Sequence, residues 1–324
     1  AGTAQDLLFE IGVEELPVDD VVLGSAQLET LARQRLSEAR LSFTALTTTG
    51  APRRLVLQVQ GLAPRQADDE QVVKGPPLKA AFDAQGQPTK AAEGFARKYG
   101  LAVADLVRRS DASGEYLYAV QTIPGRPAPQ VLRDLLPALV SSLSFGKPMR
   151  WNSNGVAFTR PIRWFVALFG GQVIPFTYGN ASSGRTTRGL RPDNSPAIDI
   201  AQAADYDQAM AGAGVVVERT QRRALITQQL AELAATVGGE IPHDAALLDE
   251  VTDLVEAPCA LLGSFDPAYL SLPREVLITV MKKHQRYFPV MRAGSEQMLP
   301  YFITVANGAP RDPDVVRHGN EGVI

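Results

Sequence analysis

The chain has 324 residues, a length that allows two or three domains, each with its own core. Its single cysteine, Cys259, excludes an intrachain disulfide, and no apolar run approaches the ~20 residues that a membrane-spanning helix requires. The first residues lack the basic flank and apolar core of a signal peptide, so we expect a cytoplasmic protein with no membrane partner.

The net charge of −3 conceals a segregated charge distribution. Residues 135–192 contain seven cations and no Asp or Glu, whereas residues 193–270 contain thirteen carboxylates and three arginines. Residues 271–292 again carry more cations than anions. A molecule with a basic face and an acidic face would show this pattern, and so would charges that cluster by chance and cancel in three dimensions.

The first 62 residues predict a β-α-β-β unit. Its helix is expected to be capped by Asp19 and Asp20 and to fade near Arg40. Its strands are expected at residues 7–11, 43–48 and 54–60. The Pro- and Gln-rich residues 61–77 predict a linker or a long loop.

The middle of the chain predicts less regular structure and a boundary. A short helix is expected at residues 89–99 and a strand at 116–123, followed by a Pro-rich boundary at 124–129. The next helix carries leucines on one face, and Pro137 should kink or divide it.

The remainder predicts short strands and helices in irregular order, with Gly170-Gly171 as a tight hairpin and Asp244 as a helix cap. Strands are expected at residues 156–158, 162–169, 172–178, 259–262 and 301–307. Helices are expected at residues 203–211 and 220–237, between 244 and 258, and from 273 onward. The fold class is therefore α+β, with mixed, mostly antiparallel sheets and packed helices.

The sequence contains no catalytic constellation. Its three histidines lie far apart without metal-ligand spacing, and no P-loop, dinucleotide-binding motif or nucleophile elbow occurs. Cys259 has no cationic neighbour that would activate its thiol, so it is expected in the core. The sequence predicts a binder or an accessory part of an enzyme, with no catalytic, cofactor-binding or metal-binding residue.

Two basic segments stand beside predicted strands. Arg53 and Arg54 open a strand, and because alternate side chains leave opposite faces, at most one of the two is expected to be buried. Arg160 and Arg163 lie near Trp164, a combination that suits a phosphate backbone and a stacked base. Spacing alone favours the alternative, in which the tryptophan is core and the arginines are surface residues.

Two further segments complete the set of basic elements. The loop at 182–189 combines Arg185 and Arg188 with glycines and hydroxyls, which is the composition of an anion site and also of many ordinary turns. The segment 273–290 begins as a helix and then presents the cations Lys282, Lys283 and Arg286. They are typical of a helix C-terminus and equally of a docking edge for an anionic partner.

Several segments together resemble the bacterial glycyl-tRNA synthetase β subunit. Among them are Ala-Pro-Arg-Arg-Leu at 51–55, Arg-Pro-Ile-Arg-Trp at 160–164 and Lys-Lys-His-Gln-Arg-Tyr-Phe at 282–288. The full set, which follows the family order, is 7–17, 51–55, 88–96, 149–151, 160–164, 183–189, 277–289 and 319–321. So many coincident segments are far more specific than any one alone.

The resemblance implies an α2β2 enzyme in which the α subunit binds ATP, with Mg, and glycine, while the β subunit recognises and positions tRNA-Gly. The predicted elements divide the chain into an N-terminal lobe at 1–64, a region of linker, short helix and strand at 65–128, and an α+β domain at 129–324. The resemblance implies that the last of these is similar to the B3/B4 module of phenylalanyl-tRNA synthetase. The later HD-type and anticodon-binding domains of the family are expected to be absent from this chain, which resembles the N-terminal half. The candidate tRNA-binding residues are Arg53, Arg54, Arg160, Arg163, Arg185, Arg188, Lys282, Lys283 and Arg286.

Two alternatives to an RNA-positioning role stay open. An editing hydrolase would need a water-activating group, for which His284 and Glu256 are the candidates, and the lack of a nucleophile or metal set argues against it. A scaffold would hold the α subunits without touching RNA. One departure from the family is Gly322, where an arginine usually follows the segment 319–321, so any contact made by that arginine is in doubt.

Overall fold

A computed structural model describes residues 2–151, 153 and 155–323. Apolar runs near the N-terminus form one side of its seven-stranded central sheet. The antiparallel strands β1 (Gln5–Val13), β2 (Ala45–Ala51) and β3 (Arg54–Leu62) lie in the order β1-β3-β2, and helix α1 (Val18–Glu38) connects the first two. The predicted β-α-β-β unit is confirmed. The predicted cap is wrong, because Pro17 occupies the cap position and both aspartates lie in the first helical turn.

Residues 69–123 form a small insertion module with its own sheet. Its elements are β4 (Asp69–Pro77), α2 (Leu78–Ala81), α3 (Lys90–Lys98), β5 (Val107–Asp111) and β6 (Gly114–Ile123). The sheet is antiparallel with the order β4-β6-β5. The prediction of a loop at 61–77 is therefore wrong, because β4 gains its structure from β6, a partner more than forty residues later in the chain.

Helix α4 (Ala128–Ser142) returns the chain to the central sheet and is not divided at Pro137, contrary to the alternative of a divided helix. A proline removes one bond to the carbonyl four residues earlier, and that residue, Arg133, lies on the exposed side of α4. The buried residues of α4, including Leu132, Leu136 and Leu139, pack with those of α1 on one face of the central sheet.

The second edge of the central sheet comes from residues after α4. The strands that follow are β7 (Met149–Arg150), β8 (Ala157–Phe158), β9 (Ile162–Phe169), β10 (Gln172–Val173), β11 (Thr177–Tyr178), β12 (Ala181–Gly184), β13 (Thr186–Arg188) and β14 (Ala197–Asp199). β9 pairs antiparallel with β1, which completes the order β11-β12-β9-β1-β3-β2 with β10 beside β9. The sheet therefore joins the predicted 1–64 lobe and part of the predicted 129–324 domain in one core.

The remaining residues form a four-stranded antiparallel sheet with helices on it. The elements are α5 (Tyr206–Gly212), α6 (Arg219–Thr236), β15 (Gly239–Glu240), α7 (Ala245–Thr252), β16 (Pro258–Ser264), α8 (Arg274–Thr279), β17 (Phe288–Arg292), β18 (Met298–Asn307) and α9 (Pro313–Glu321). The strand order is β15-β17-β18-β16. Helices α6 and α7 share a core with one face of this sheet. Asp244 caps α7 by accepting a hydrogen bond from the Leu247 N–H, as predicted.

The segment 273–290 begins as predicted, with a short helix, and then widens into a π-helical turn at Val280–Gln285. Arg286 ends this turn in the left-handed region, with φ 56°. Tyr287 and Phe288 are buried, and the Tyr287 ring stacks on Phe302 with 4.6 Å between centroids. The aromatic pair is packing, as expected. Within the described residues, none of the helices combines the length and the apolar character needed to cross a bilayer.

Gly12 has a specific packing role in the central sheet. It pairs with Arg54 of β3 on one side and with Trp164 of β9 on the other. A Cβ atom at this position would lie 1.9 Å from the Trp164 ring. The missing side chain therefore allows the indole to lie across β1.

We predict that Gly12→Ala lowers the free energy of unfolding by about 2 kcal/mol or more, because the indole must move out of a closely packed face. The matched control is Gly94→Ala, in α3, where a Cβ meets nothing within 4 Å and where alanine favours the helix. Urea denaturation of both variants measures the difference. Equal stability of the two variants would contradict the packing role of Gly12.

Candidate nucleic-acid interface

Several of the segments singled out in the sequence meet at one end of the central sheet. The residues that follow β1 bind the turn before β3, with 2.9 Å from Val13 N to Arg53 O and 2.7 Å from Leu16 N to Pro52 O. They also bind the approach to β9, with 3.0 Å from Glu14 N to Pro161 O. We call this region the arginine end, defined by Arg53, Arg160, Arg163, Arg188 and Arg191.

A buried polar cluster lies directly beneath the arginine end, on the sheet face that carries Glu10 and Arg54. The Glu10 carboxylate accepts hydrogen bonds from Trp164 Nε1, from the Tyr206 hydroxyl and from Thr187 Oγ1, the last at 2.5 Å. Three elements, β9, β13 and α5, therefore converge on one side chain of β1.

The Arg54 guanidinium lies between two carboxylates in this cluster. Its Nε and Nη2 atoms donate to the two oxygens of Glu256 at 2.9 and 3.2 Å, and its Nη1 lies 3.4 Å from Glu10 Oε2. Nη1 also donates to Thr187 Oγ1 at 3.1 Å and Nη2 to Arg188 O at 2.8 Å. Glu256 precedes β16, so the cluster ties the central sheet to the four-stranded sheet.

Both arginines of the β2–β3 turn are buried, so the expectation that at most one would be buried is wrong. Arg54 is 0% exposed and Arg53 is 7% exposed. Strand alternation does not separate them because Arg53 still belongs to the turn, and both guanidinium groups lie 5.5 Å from the centroid of the Trp164 ring. We therefore remove Arg54 from the candidates for direct tRNA contact, because its guanidinium N–H groups are hydrogen-bonded inside the protein.

Burial and charge act in opposite directions on the groups of this cluster. Burial opposes the charged form of Arg54, but the carboxylates of Glu256 and Glu10 outweigh it and raise the guanidinium pKa above its ordinary value. Burial, assisted by the negative charge of Glu10, raises the pKa of Tyr206 well above its ordinary value. Burial lowers the pKa of Arg53, whose guanidinium donates one hydrogen bond among the described residues, to Gly189 O at 3.2 Å.

Arg222 is a third buried arginine, and sequence reasoning missed it. Its guanidinium donates to the carbonyls of Gly50, Val216, Val217 and Thr252 at 2.6 to 3.1 Å, and burial lowers its pKa to about 10. The available signal was its position in the apolar stripe of α6, four residues before Ile226. Arg222 fastens α6 to the end of β2.

The exposed cations of the arginine end fall into two groups. Arg163 and Arg191 are ion-paired with Glu14 at 2.6 and 3.0 Å, and Arg191 also pairs with Glu15 at 2.8 Å. Arg191 was absent from the predicted set, although it belongs to residues 135–192, which contain no Asp or Glu and which we call the acid-free stretch. Arg160, half-buried, donates to the neighbouring Thr159 carbonyl, and the exposed Arg188 side chain has no ion pair in the described part of the chain.

The other predicted cations lie elsewhere. Arg185 donates to the carbonyls of Gly171, Ile200 and Ala201, beyond the opposite end of β9, so its guanidinium braces a loop. Lys282 pairs with Asp244 at 2.6 Å and Arg286 with Glu250 at 2.8 Å. Lys283 is exposed. The structure thus brings five predicted residues to one region and leaves these four apart from it.

The two residues considered for editing chemistry, Glu256 and His284, do not lie together in a cleft: one is buried in an ion pair and the other is exposed. Glu256 is 0% exposed and bound to Arg54, and His284 is exposed on the π-helical turn. Cys259 is half-buried in β16, and burial raises the pKa of its thiol. Among the residues that the structure describes, no group of three or more His, Cys, Asp or Glu could hold a metal ion.

We predict that Arg54→Met lowers the free energy of unfolding by about 3–5 kcal/mol, because it leaves two buried carboxylates without their cation. Arg33→Met is the matched control: Arg33 pairs with Glu29 at 2.9 Å on the exposed side of α1, and its loss should cost less than about 1 kcal/mol. Denaturant titration at neutral pH compares the two. A cost for Arg54→Met no greater than the control would show that the cluster does not depend on this charge.

We predict that wild-type stability falls more steeply than that of Tyr206→Phe as the pH rises above the ordinary tyrosine pKa of 10.0. A folded-state pKa above the unfolded value contributes stability that is complete below the unfolded pKa and is lost as the pH rises through the folded one. The measured quantity is the difference in unfolding free energy between the two proteins from pH 8 to about 11. Tyr269→Phe, on an exposed tyrosine, should follow the wild type. A constant difference between wild type and Tyr206→Phe would contradict the shift.

Comparison with known proteins gives a consistent match along the chain. Residues 7–324 match the family described as glycyl-tRNA synthetase beta subunit. The glycine–tRNA ligase beta subunit of Moorella thermoacetica is 47% identical over 321 residues, which are 99% of this chain and 46% of the relative. The beta subunit of Syntrophotalea carbinolica is 44% identical over 319 residues, which are 98% of this chain and 46% of the relative.

A plant relative shows the same similarity. The Arabidopsis thaliana protein named glycine–tRNA ligase, chloroplastic/mitochondrial 2 is 43% identical over 320 residues, which are 99% of this chain and 30% of the relative. The chain spans about half the length of the bacterial relatives that it matches, and less of the plant one. The predicted resemblance is confirmed: with a family match over nearly its whole length, the chain belongs to the glycyl-tRNA synthetase beta subunit family.

Proposed function

We propose that this chain acts as part of the β subunit of a cytoplasmic glycine–tRNA ligase and assists the ATP-dependent attachment of glycine to tRNA-Gly. In this proposal the α subunit binds ATP, with Mg²⁺, and glycine in an α2β2 enzyme, and the present chain binds and positions the tRNA. The observation that carries the proposal is the family match over residues 7–324, together with relatives that are named as glycine–tRNA ligases.

The charge pairing of the acid-free stretch supports an RNA contact at the arginine end. Of its seven cations, only Arg163 and Arg191 form ion pairs in the described part of the chain. The exposed residues Lys147 and Arg188 and the half-buried Arg160 therefore keep their positive charge uncompensated by a carboxylate. Unpaired cations on one stretch favour a polyanion, since each phosphate they neutralise releases counterions. By the same criterion Lys282 and Arg286, which are paired, are weaker candidates.

A different surface supports contact with the α subunit. Tyr269, Leu272 and Val276, which lie in and before α8, are 43%, 47% and 50% exposed. Large apolar side chains that stay exposed within one short stretch are typical of an interface with another protein. The proposal therefore assigns RNA to the basic stretch and the α subunit to this apolar stretch.

The test is steady-state aminoacylation by the α subunit with full-length β subunit carrying Arg160→Glu and Arg188→Glu. We predict an increase of about tenfold in the KM for tRNA-Gly, with kcat and the KM values for ATP and glycine unchanged, because attraction to two phosphates is replaced by repulsion. The dependence of this KM on salt should also become shallower, by roughly one unit of logarithmic slope for each phosphate that is no longer neutralised.

The control variant is Arg317→Glu, which reverses an exposed arginine of α9 that pairs with Asp314. It should leave the tRNA KM unchanged. If the double variant behaves like this control while still binding the α subunit in a pull-down, RNA positioning by the arginine end is excluded and the scaffold alternative is supported. Release of alanine from Ala-tRNA-Gly by the chain, lost in His284→Ala, would instead support editing.

A further inference from the structure

The insertion module has a core of its own, separate from the cores of the two large sheets. Its own core consists of small side chains, mainly alanines: Ala81, Ala92, Ala96, Leu106, Leu117 and Ala119. Two adjacent chain segments connect it to the central sheet, one entering and one leaving the module. They are joined by a β-bridge between Arg65 and Pro127 and by a 2.9 Å hydrogen bond from Gln66 N to Arg126 O. A small appended unit of this kind is a common place for binding residues.

The sheet of the module has one covered face and one open face. In the central strand β6, Leu117 and Ala119 are buried beneath the helices. Because side chains alternate along a strand, Tyr116 and Tyr118 lie on the other face, where both are partly exposed. Val107 of β5, in register with Tyr118, and Val72 of β4, in register with Val120 on the same face, are 38% and 40% exposed. The open face is thus aromatic and apolar.

Cations lie against both tyrosines of the open face. Lys74 Nζ is 3.6 Å from the centroid of the Tyr116 ring, and the Arg109 guanidinium carbon is 5.8 Å from that of Tyr118. Asp111, at the end of β5, holds Lys74 in an ion pair of 2.6 Å. Glu70 of β4 is the other acidic residue on this face, where it lies opposite Thr122 in the strand register. Asp111 also accepts a hydrogen bond from the Tyr118 hydroxyl at 3.3 Å, so one carboxylate lies beside the two rings, and the two cations outnumber it.

A cavity of about 650 Å³ continues from the open face, with Tyr116 in the wall of both. Lys79, Phe82 and Arg108 also line it, and the Arg108 guanidinium lies 4.7 Å from the Phe82 ring centroid. Asp83 and Glu115 are its acidic members, and Asp83 is occupied by the N–H groups of Gln85 and Gln87. Because Arg108 is in register with the buried Leu117, it lies on the covered side of the sheet, and the cavity connects its cation and the Phe82 ring to the open face at Tyr116.

We propose that the open face and its cavity bind unpaired nucleotides of RNA, with bases stacked on Tyr116 and Tyr118 and phosphates at Lys74, Arg108 and Arg109. Aromatic side chains on an antiparallel sheet, flanked by cations, are a common platform for single-stranded RNA. Arg108 and Arg109, which form no ion pair among the described residues, are the stronger phosphate ligands. Lys74 must leave both Asp111 and the Tyr116 ring to reach a phosphate, which its long stem allows. A duplex fits poorly because its bases already stack on each other. The choice of RNA rests on the proposed function, and it extends that function to a second, single-strand-specific contact.

The test is fluorescence anisotropy with this chain and a labelled single-stranded RNA of about ten nucleotides, beside the same sequence as a duplex, at about 50 mM salt. We predict that Tyr116→Ala with Tyr118→Ala raises the Kd for the single strand about tenfold or more. The corresponding double Phe variant should keep wild-type affinity, since stacking requires the ring and not the hydroxyl. Lys74→Gln should weaken binding and make it less dependent on salt.

Two control variants match the tested residues. Tyr178→Ala removes another half-buried tyrosine, in β11, and Lys98→Gln removes another exposed lysine near a ring, that of Tyr99 in the same module. Neither should change the Kd. Circular dichroism and thermal unfolding would show that the double Ala variant is folded, as expected from the partial exposure of both rings.

The possible outcomes separate this inference from the proposed function. Equal affinity of wild type and the double Ala variant, or equal binding of duplex and single strand, would overturn the single-strand site even if Arg160→Glu and Arg188→Glu raise the tRNA KM. Loss of α-subunit binding in place of RNA binding would also overturn it and would make the open face a protein interface. Tyrosine-dependent binding of the single strand would support the site even if the arginine end proved inactive.

Discussion

The fold depends on burying the charge of Arg54 between Glu10 and Glu256. Removing a guanidinium and two carboxylates from water is costly, and only their mutual attraction and a complete set of hydrogen bonds offset that cost. The partners come from β1, β3, β13, α5 and the residues before β16, so the cluster is complete only when both large sheets are in place. Assembly of the central sheet and attachment of the four-stranded sheet are therefore coupled through one side chain. Arg222, which binds carbonyls of both parts, strengthens the same junction.

The segments that identify the family are also the segments that build this junction. Residues 7–17 contain Glu10 and Gly12, 51–55 contain Arg53 and Arg54, 160–164 contain Trp164, and 183–189 contain Thr187. Their side chains meet in space although they lie up to 177 residues apart in the chain. Gly12 makes room for Trp164, whose indole donates to Glu10. The distinctive residues of this half of the family's length thus serve packing and charge burial, and the surface arginines beside them are supported by that framework.

Local sequence patterns predicted the elements whose stability is local and missed those that depend on distant partners. Strands β1, β3 and β9 and helix α6 follow from apolar periodicity, and Asp244 follows from cap chemistry. Strands β12 and β13 lie where a loop was expected, because their partners lie elsewhere in the chain. Strand β4 is polar and exposed, and only its pairing with β6 makes it a strand. For the site, charge counting located the acid-free stretch but not the burial of Arg53 and Arg54, because burial depends on what covers a turn from outside its own sequence. The ion pairs of Arg191 with Glu14 and Glu15 were missed for the same reason, because these residues lie 177 and 176 positions from Arg191 in the chain.

The two segments that connect the insertion module to the main body lie side by side, which bears on how the sequence of this chain can vary. The Ala128 N–H donates to Pro64 O at 2.8 Å, so the points at which the chain leaves and re-enters the main body are already neighbours. β3 and α4 would keep their positions if a tight turn joined them directly, because neither the register of the central sheet nor its core includes a residue of the module. The module can therefore differ in sequence and length between related proteins, or be replaced by design, while the Arg54 cluster stays as it is.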